Sequence, residues 1–113
     1  PIADLPDAMQ RLIQAERWLE RRNNERASEA FGALFAELEQ LELTPLVKAR
    51  VVLGQVRCLR LERGLDEAVA LAKRAREHME SAEGRQRLDL GMAALFAELG
   101  QHERAADAYT GDY

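Results

Sequence analysis

Histidine, cysteine and proline are nearly missing from this chain: of 113 residues, two are His, one is Cys and three are Pro. A single cysteine, Cys58, excludes an internal disulfide. Its apolar neighbours fit a small buried residue better than a reactive thiol. Neither His78 nor His102 is placed by the sequence as a base beside it, and no His, Cys and Asp cluster has metal-ligand spacing. The seven glycines are dispersed, with Gly32, Gly54 and Gly91 inside helical patterns, so a phosphate-cradling loop is missing. Glu37 and Glu42 flank a leucine-rich stripe and read as a solvated face rather than an acid–base pair. These gaps argue against an enzyme and call for no cofactor or metal. A basic surplus is absent too: the net charge is −4, which argues against direct nucleic-acid binding. Nothing resembles a long apolar run or a signal peptide, so no membrane association is expected. With no disulfide either, the default compartment is the cytoplasm.

Helix formers are abundant instead. Ala, Leu, Glu and Arg dominate, aromatics make up 5%, and β-branched residues are scattered. The expectation is an all-α chain of about six antiparallel helices. The first runs from near Pro6 to about Arg22, with Asp4 as a candidate cap and Met9, Leu12, Ile13, Ala15, Trp18 and Leu19 as its apolar stripe. Asn23-Asn24 marks a turn, where Asn tolerates left-handed backbone and can cap the next helix. The second runs from about Glu25 to Leu43, and Thr44-Pro45 opens the third, which is apolar almost all round as far as Arg63. Such a helix belongs in the middle of a stack. Gly64 separates it from a fourth helix ending near Ser81. A fifth spans about Arg85 to Leu99, and a short sixth starts at His102. Every connection is expected to be a few residues long, making consecutive helices antiparallel neighbours.

Three helix pairs share one internal spacing. Ala15 to Ala27, Val56 to Ala68 and Ala93 to Ala105 are each 12 residues apart. Trp18 to Phe31, Leu59 to Ala72 and Phe96 to Tyr109 are each 13 apart. Small residues let two helices cross closely, and the larger partners fill the space beside the crossing. On these residues the chain resembles the tetratricopeptide repeat family over nearly its whole length. The third copy fits best, and the first two are degenerate. Arg11 and Asp89 stand where the pattern asks for a large apolar residue, and the repeat distances are 41 (Ala27 to Ala68) and 37 (Ala68 to Ala105). Long, irregular copies of this kind are similar to those in regulatory arms of large bacterial signalling proteins. The resemblance implies one domain over 1–113, with repeats at about 6–43, 45–81 and 85–113 stacked as a right-handed α-solenoid. The competing reading is a generic six-helix bundle.

The resemblance also implies a function and a site. First helices of such repeats line a concave groove that accepts a partner segment. Carried over by position, the groove residues are Met9, Leu12, Glu16, Leu19 and Glu20, then Arg50, Leu53, Arg57, Arg60 and Leu61. From the third copy come Arg87, Leu90, Ala94, Ala97 and Glu98. Helical geometry agrees in part, since Arg50, Arg57 and Arg60 fall within an arc of about 80°. The third helix carries Lys48, Arg50, Arg57, Arg60 and Arg63 against one acid, Glu62. Arginine binds carboxylates in a two-pronged way. The expectation is a protein-interaction module whose basic groove takes an acidic or C-terminal peptide, with Leu53 and Leu90 as apolar anchors. Two alternatives stand beside it: a dimerisation or structural segment of a larger regulatory protein, or a small-molecule sensor with a pocket between helices. Equally, the arginines can pair with Glu16, Glu20 and neighbouring acids inside the stack. The only asparagines, Asn23 and Asn24, sit in a turn, which disfavours the asparagine-lined grooves of chaperone-binding members of the family.

The ends carry one more expectation. The chain starts with Pro, and no polar capping helix follows the sixth. Gly111-Asp112-Tyr113 reads as a turn into another helix. A piece of a longer protein, or self-association through an uncovered end, is expected.

Overall fold

In the computed structural model, which describes residues 6–113, six α-helices account for the regular structure and no strand occurs among the described residues. They are α1 (Asp7–Glu20), α2 (Asn24–Ala36), α3 (Pro45–Arg63), α4 (Leu65–His78), α5 (Ala82–Glu98) and α6 (His102–Ala108). Helices α1 and α2, α3 and α4, and α5 and α6 pack as consecutive pairs. α3 is central and also lies against α1, α2 and α5, whereas α4 meets α5 only sparsely.

Local chemistry explains most of the boundaries. Thr44 Oγ1 accepts from the backbone N–H of Val47 at 3.3 Å, and Pro45 fills the first helical position, where its missing N–H costs nothing. Asn23 caps α2 by accepting from Arg26 N. Left-handed backbone falls on Arg22 (φ 61) rather than on either asparagine. Ser81 caps α5 by accepting from Gly84 N at 3.3 Å, which starts that helix at Ala82, ahead of the expected Arg85. Asp4, the expected cap of α1, lies outside the described residues, and Pro6 occupies the capping position.

The α2 boundary departs further. The helix stops at Ala36, not Leu43, and residues 37–44 form an irregular connection longer than the few residues expected. Glu42 adopts φ 49, which no helix allows, so the leucine spacing there serves a folded loop instead. Leu38, Leu41 and Leu43 pack against the core from that loop. Glu37, expected to face only solvent, holds Arg11 at 2.6 Å and ties the loop to α1.

Why α3 is apolar nearly all round now has a reason. Its Val51 and Cys58 join Leu12, Ala15, Ala27, Phe31 and Leu34 in one core cluster. Its Ala49, Val52, Leu53 and Val56 join Ala68, Ala72, Leu88, Met92, Ala93, Phe96 and Ala105 in a second. One helix therefore contributes side chains to both cores. Burial pushes the Cys58 thiol up to about 11, with a smaller contribution from Glu62, as suits a packed apolar group.

The residues with the 12- and 13-residue spacings divide by burial. Ala15, Ala27, Phe31, Val56, Ala68, Ala72, Ala93, Phe96 and Ala105 are buried. Trp18 and Leu59 are half-buried against the two clusters. Tyr109 is the exception: 61% of its surface is exposed. Helix α6 ends at Ala108, and the chain turns at Gly111 (φ 80). That turn returns Tyr113, not Tyr109, to the core, and Tyr113 is 9% exposed. Side-chain packing at the crossing therefore falls to Ala105 and Ala108, and Gly111–Tyr113 form a turn that carries Tyr113 back to the core.

Candidate functional site

A groove of about 800 Å³ runs between α1, α3 and α5. All six residues expected to contact a partner line it: Arg50, Leu53, Arg57 and Arg60 from α3, and Arg87 and Leu90 from α5. Glu16, Leu19, Glu20, Leu61, Ala94 and Glu98 from the same expectation line it as well. Arg22, Asn24, Phe31, Gly54, Gly91 and Leu99 complete the wall. Met9, Leu12 and Ala97 do not line it; Leu12 is fully buried beneath α1.

Glycines set the depth of the groove. A Cβ on Gly91 would collide with the Leu53 side chain, and one on Gly54 with the Phe31 ring. The groove floor is therefore made of the protein's own Leu53 and Phe31, pressed against bare backbone. Leu53 is 8% exposed and cannot be the free apolar anchor expected of it. Exposed apolar surface comes instead from Leu61 (47%), Leu90 (45%) and Leu99 (37%).

The charges fall into held and unheld groups. Arg50 donates through Nε and Nη2 to the two carboxylate oxygens of Glu16. These hydrogen bonds raise the pKa of Arg50, against the opposing effect of burial. Arg57 donates through Nη1 to Glu98 Oε2 at 2.8 Å and through Nη2 to Oε1 at 3.2 Å, bridging α3 to α5. Those bonds from Arg57 hold the Glu98 carboxyl below the usual range, and the nearby charge of Arg60 adds to the effect. Arg60 and Arg87 have no carboxylate oxygen within ion-pair distance among the described residues. Arg60 Nε is moreover enclosed without an acceptor. The expected internal pairing thus holds for two of the four arginines, with Glu98 rather than Glu20 as the second acid. Five arginines and three glutamates line the groove of a protein whose overall charge is negative.

A second polar centre escaped the sequence reading. Asp89 is 4% exposed, and Arg76 donates to its two oxygens at 2.9 and 3.0 Å. Tyr113 Oη donates to Asp89 Oδ1 at 2.9 Å. Burial and the Asp89 carboxylate push the Tyr113 phenol well above its ordinary value. The cluster joins α4, α5 and the C-terminal tuck. The available signal was an acid, Asp89, at a place where the repeat pattern wants an apolar side chain. A second concavity, about 950 Å³, opens between the 37–44 connection, α3 and α4, floored by Phe35, Leu38, Val52, Leu71 and Met79.

Among the described residues no group of His, Cys, Asp and Glu has the arrangement of a metal site, and no helix is long and apolar enough to cross a membrane. Comparison with protein-family models, with curated proteins and with solved structures returns no match.

Proposed function

We propose that this chain is a protein-interaction module, built as three tetratricopeptide-like helix pairs, whose α1–α3–α5 groove receives an acidic, partly apolar segment of another protein. The single observation behind this reading is a coincidence of surfaces. Three of the five large apolar side chains exposed among the described residues, Leu61, Leu90 and Leu99, line the same groove as Arg60 and Arg87. Apolar anchors beside unpaired guanidinium groups suit a ligand with leucine-like and carboxylate side chains together. Isolated exposed leucines would mean little; clustered in a concavity they mark an interaction surface. The helix-pair stack supports the reading as well, because most of the groove lining comes from α1, α3 and α5, with Asn24 and Phe31 from α2 and no residue from α4.

Selection from a displayed peptide library against the folded chain tests this. Enriched sequences should combine Asp or Glu with large apolar residues. Replacing both Arg57 and Arg60 by Glu should remove their binding and leave the thermal unfolding midpoint near that of the parent. Enrichment of basic or purely apolar peptides would sink the reading. Light scattering over a dilution series separates the alternative, a dimerisation segment: a dimer that closes over the groove and dissociates in the Arg57→Glu, Arg60→Glu variant favours that role instead.

A further inference from the structure

Resting on that reading of the groove, we infer that it recognises two acidic groups at a fixed separation, and that Glu98 is an internal competitor for one of them. The charge surplus in the groove is not spread evenly. In the second turn of α5 lies Arg87, which holds no carboxylate. At the other end Arg57 alone holds the carboxylate of Glu98, and Arg60 acts on it only through its nearby charge. With Arg50 assigned to Glu16 and Arg57 to Glu98, Arg87 and Arg60 are left without a carboxylate in ion-pair contact, in a groove whose lining also includes Arg22 and Glu20. Leu90 stands exposed between the two ends.

Glu98 is bound as a ligand carboxylate would be. Arg57 meets it through two parallel N–H donors, the geometry that arginine offers any carboxylate. More than half of the Glu98 side chain faces solvent, so the pair is not locked in by packing (58% exposed). An incoming carboxylate can displace it and gain Arg60, which lines the same groove without a carboxylate partner, at the same time.

The helix backbone sets the scale of the separation. Arg87 and Glu98 are eleven positions apart on α5, or about 16 Å at about 1.5 Å per residue. An extended peptide covers that span in about five residues at roughly 3.3 Å each. The ligand class is thus an extended segment with acids at i and i+5 and leucine-like residues between them, the central one resting on Leu90.

The test uses fluorescently labelled peptides, N-acetylated and C-amidated, with a Leu-Leu centre and two glutamates three, five, eight or eleven residues apart. Anisotropy titration of the full chain should give the tightest binding at five. Arg87→Ala and Arg60→Ala should each weaken the five-residue peptide about tenfold and flatten the dependence on spacing; Arg87→Lys should restore part of it. Glu98→Gln should tighten binding several-fold, because the competitor is gone. Circular dichroism checks that each variant is folded. Tightest binding at another spacing, or affinity unmoved by Arg87→Ala, Arg60→Ala and Glu98→Gln, overturns the two-point inference and leaves the groove reading intact. Failure of every peptide to bind the folded parent overturns both.

Discussion

Asp89 and Glu98 stand nine residues apart on α5, and each takes two hydrogen bonds from one arginine. The chemistry is the same, and the surroundings differ. Asp89 is almost sealed, its side chain 5% exposed, and adds a third bond from Tyr113. Glu98 is mostly in water and has Arg57 alone. Burial makes a carboxylate costly to leave unpaired, so the Asp89 cluster is fixed by what its loss would cost. Exposure makes a pair cheap to open, so the Glu98 pair is the one that the proposed ligand would displace. One helix thus carries a buried ion pair on one side and an exposed one on the other.

Truncation should break that symmetry most sharply. Asp89→Ala leaves Arg76 and the Tyr113 hydroxyl without their acceptor and should cost about 3 kcal/mol. The lower part of the usual range applies because Arg76 is one-third exposed and can turn to water (31%). Glu98→Ala should cost less than about 1 kcal/mol, the normal value for an exposed pair. Urea unfolding with a common slope measures both. Equal losses would remove the distinction between the two pairs.

Legibility from sequence followed the same division. The six helices, the Thr44 cap and the central place of α3 come from spacing and capping chemistry, which act over a few residues. Registering Arg50, Arg57, Arg60 and Arg87 against one another was enough to place them in one groove. What the spacing could not carry was side-chain depth. Leu53 looks like an anchor by position, yet Gly91 lets it sink to the floor. Tyr109 occupies the aromatic place of the third copy, yet α6 ends before it and Tyr113 takes the buried position. The 37–44 connection keeps leucines at helical spacing while Glu42 adopts a backbone no helix permits. Each of these outcomes depends on long-range packing, which a periodic pattern does not encode.

Tyr113 sharpens the buried side of the comparison. Tyr113→Phe keeps the ring and removes one hydrogen bond to Asp89, so about 1 kcal/mol should be lost, provided the two Arg76 bonds remain. Titration of the Tyr109→Phe variant follows Tyr113 alone, since the chain has two tyrosines. Its phenol is raised by burial first and by Asp89 second. The native value lies above the unfolded one, so the cluster's contribution is complete below about pH 10 and is lost as pH rises through the native value. Tyrosinate absorbance should appear only above the ordinary phenol range, and in Asp89→Asn it should appear earlier. Ordinary titration of Tyr113 in the Tyr109→Phe variant would place it outside the cluster.

The smallest effect belongs to Glu98. Its carboxyl is depressed below 4.5, chiefly by the hydrogen bonds from Arg57 and less by the charge of Arg60. The sign is opposite to that of Tyr113: the pair's contribution is present above the unfolded carboxyl value and fades as pH falls through the lower native one. Carbon-detected NMR of the Glu98 carboxyl should show its midpoint rising toward the ordinary value in Arg57→Ala, with a lesser rise in Arg60→Ala. Global stability near pH 4 should hardly move in either variant, because water solvates the freed carboxylate and salt screens the pair. A ligand carboxylate bound to Arg57 should produce the same rise as Arg57→Ala, since Glu98 then loses the same two bonds. That correspondence is the point at which the exposed pair differs most from the Asp89 cluster, where no ligand can enter without unpacking Tyr113. A bound acidic peptide that leaves the Glu98 midpoint unchanged would show that it does not displace Glu98, and the pair would then be as structural as the buried one.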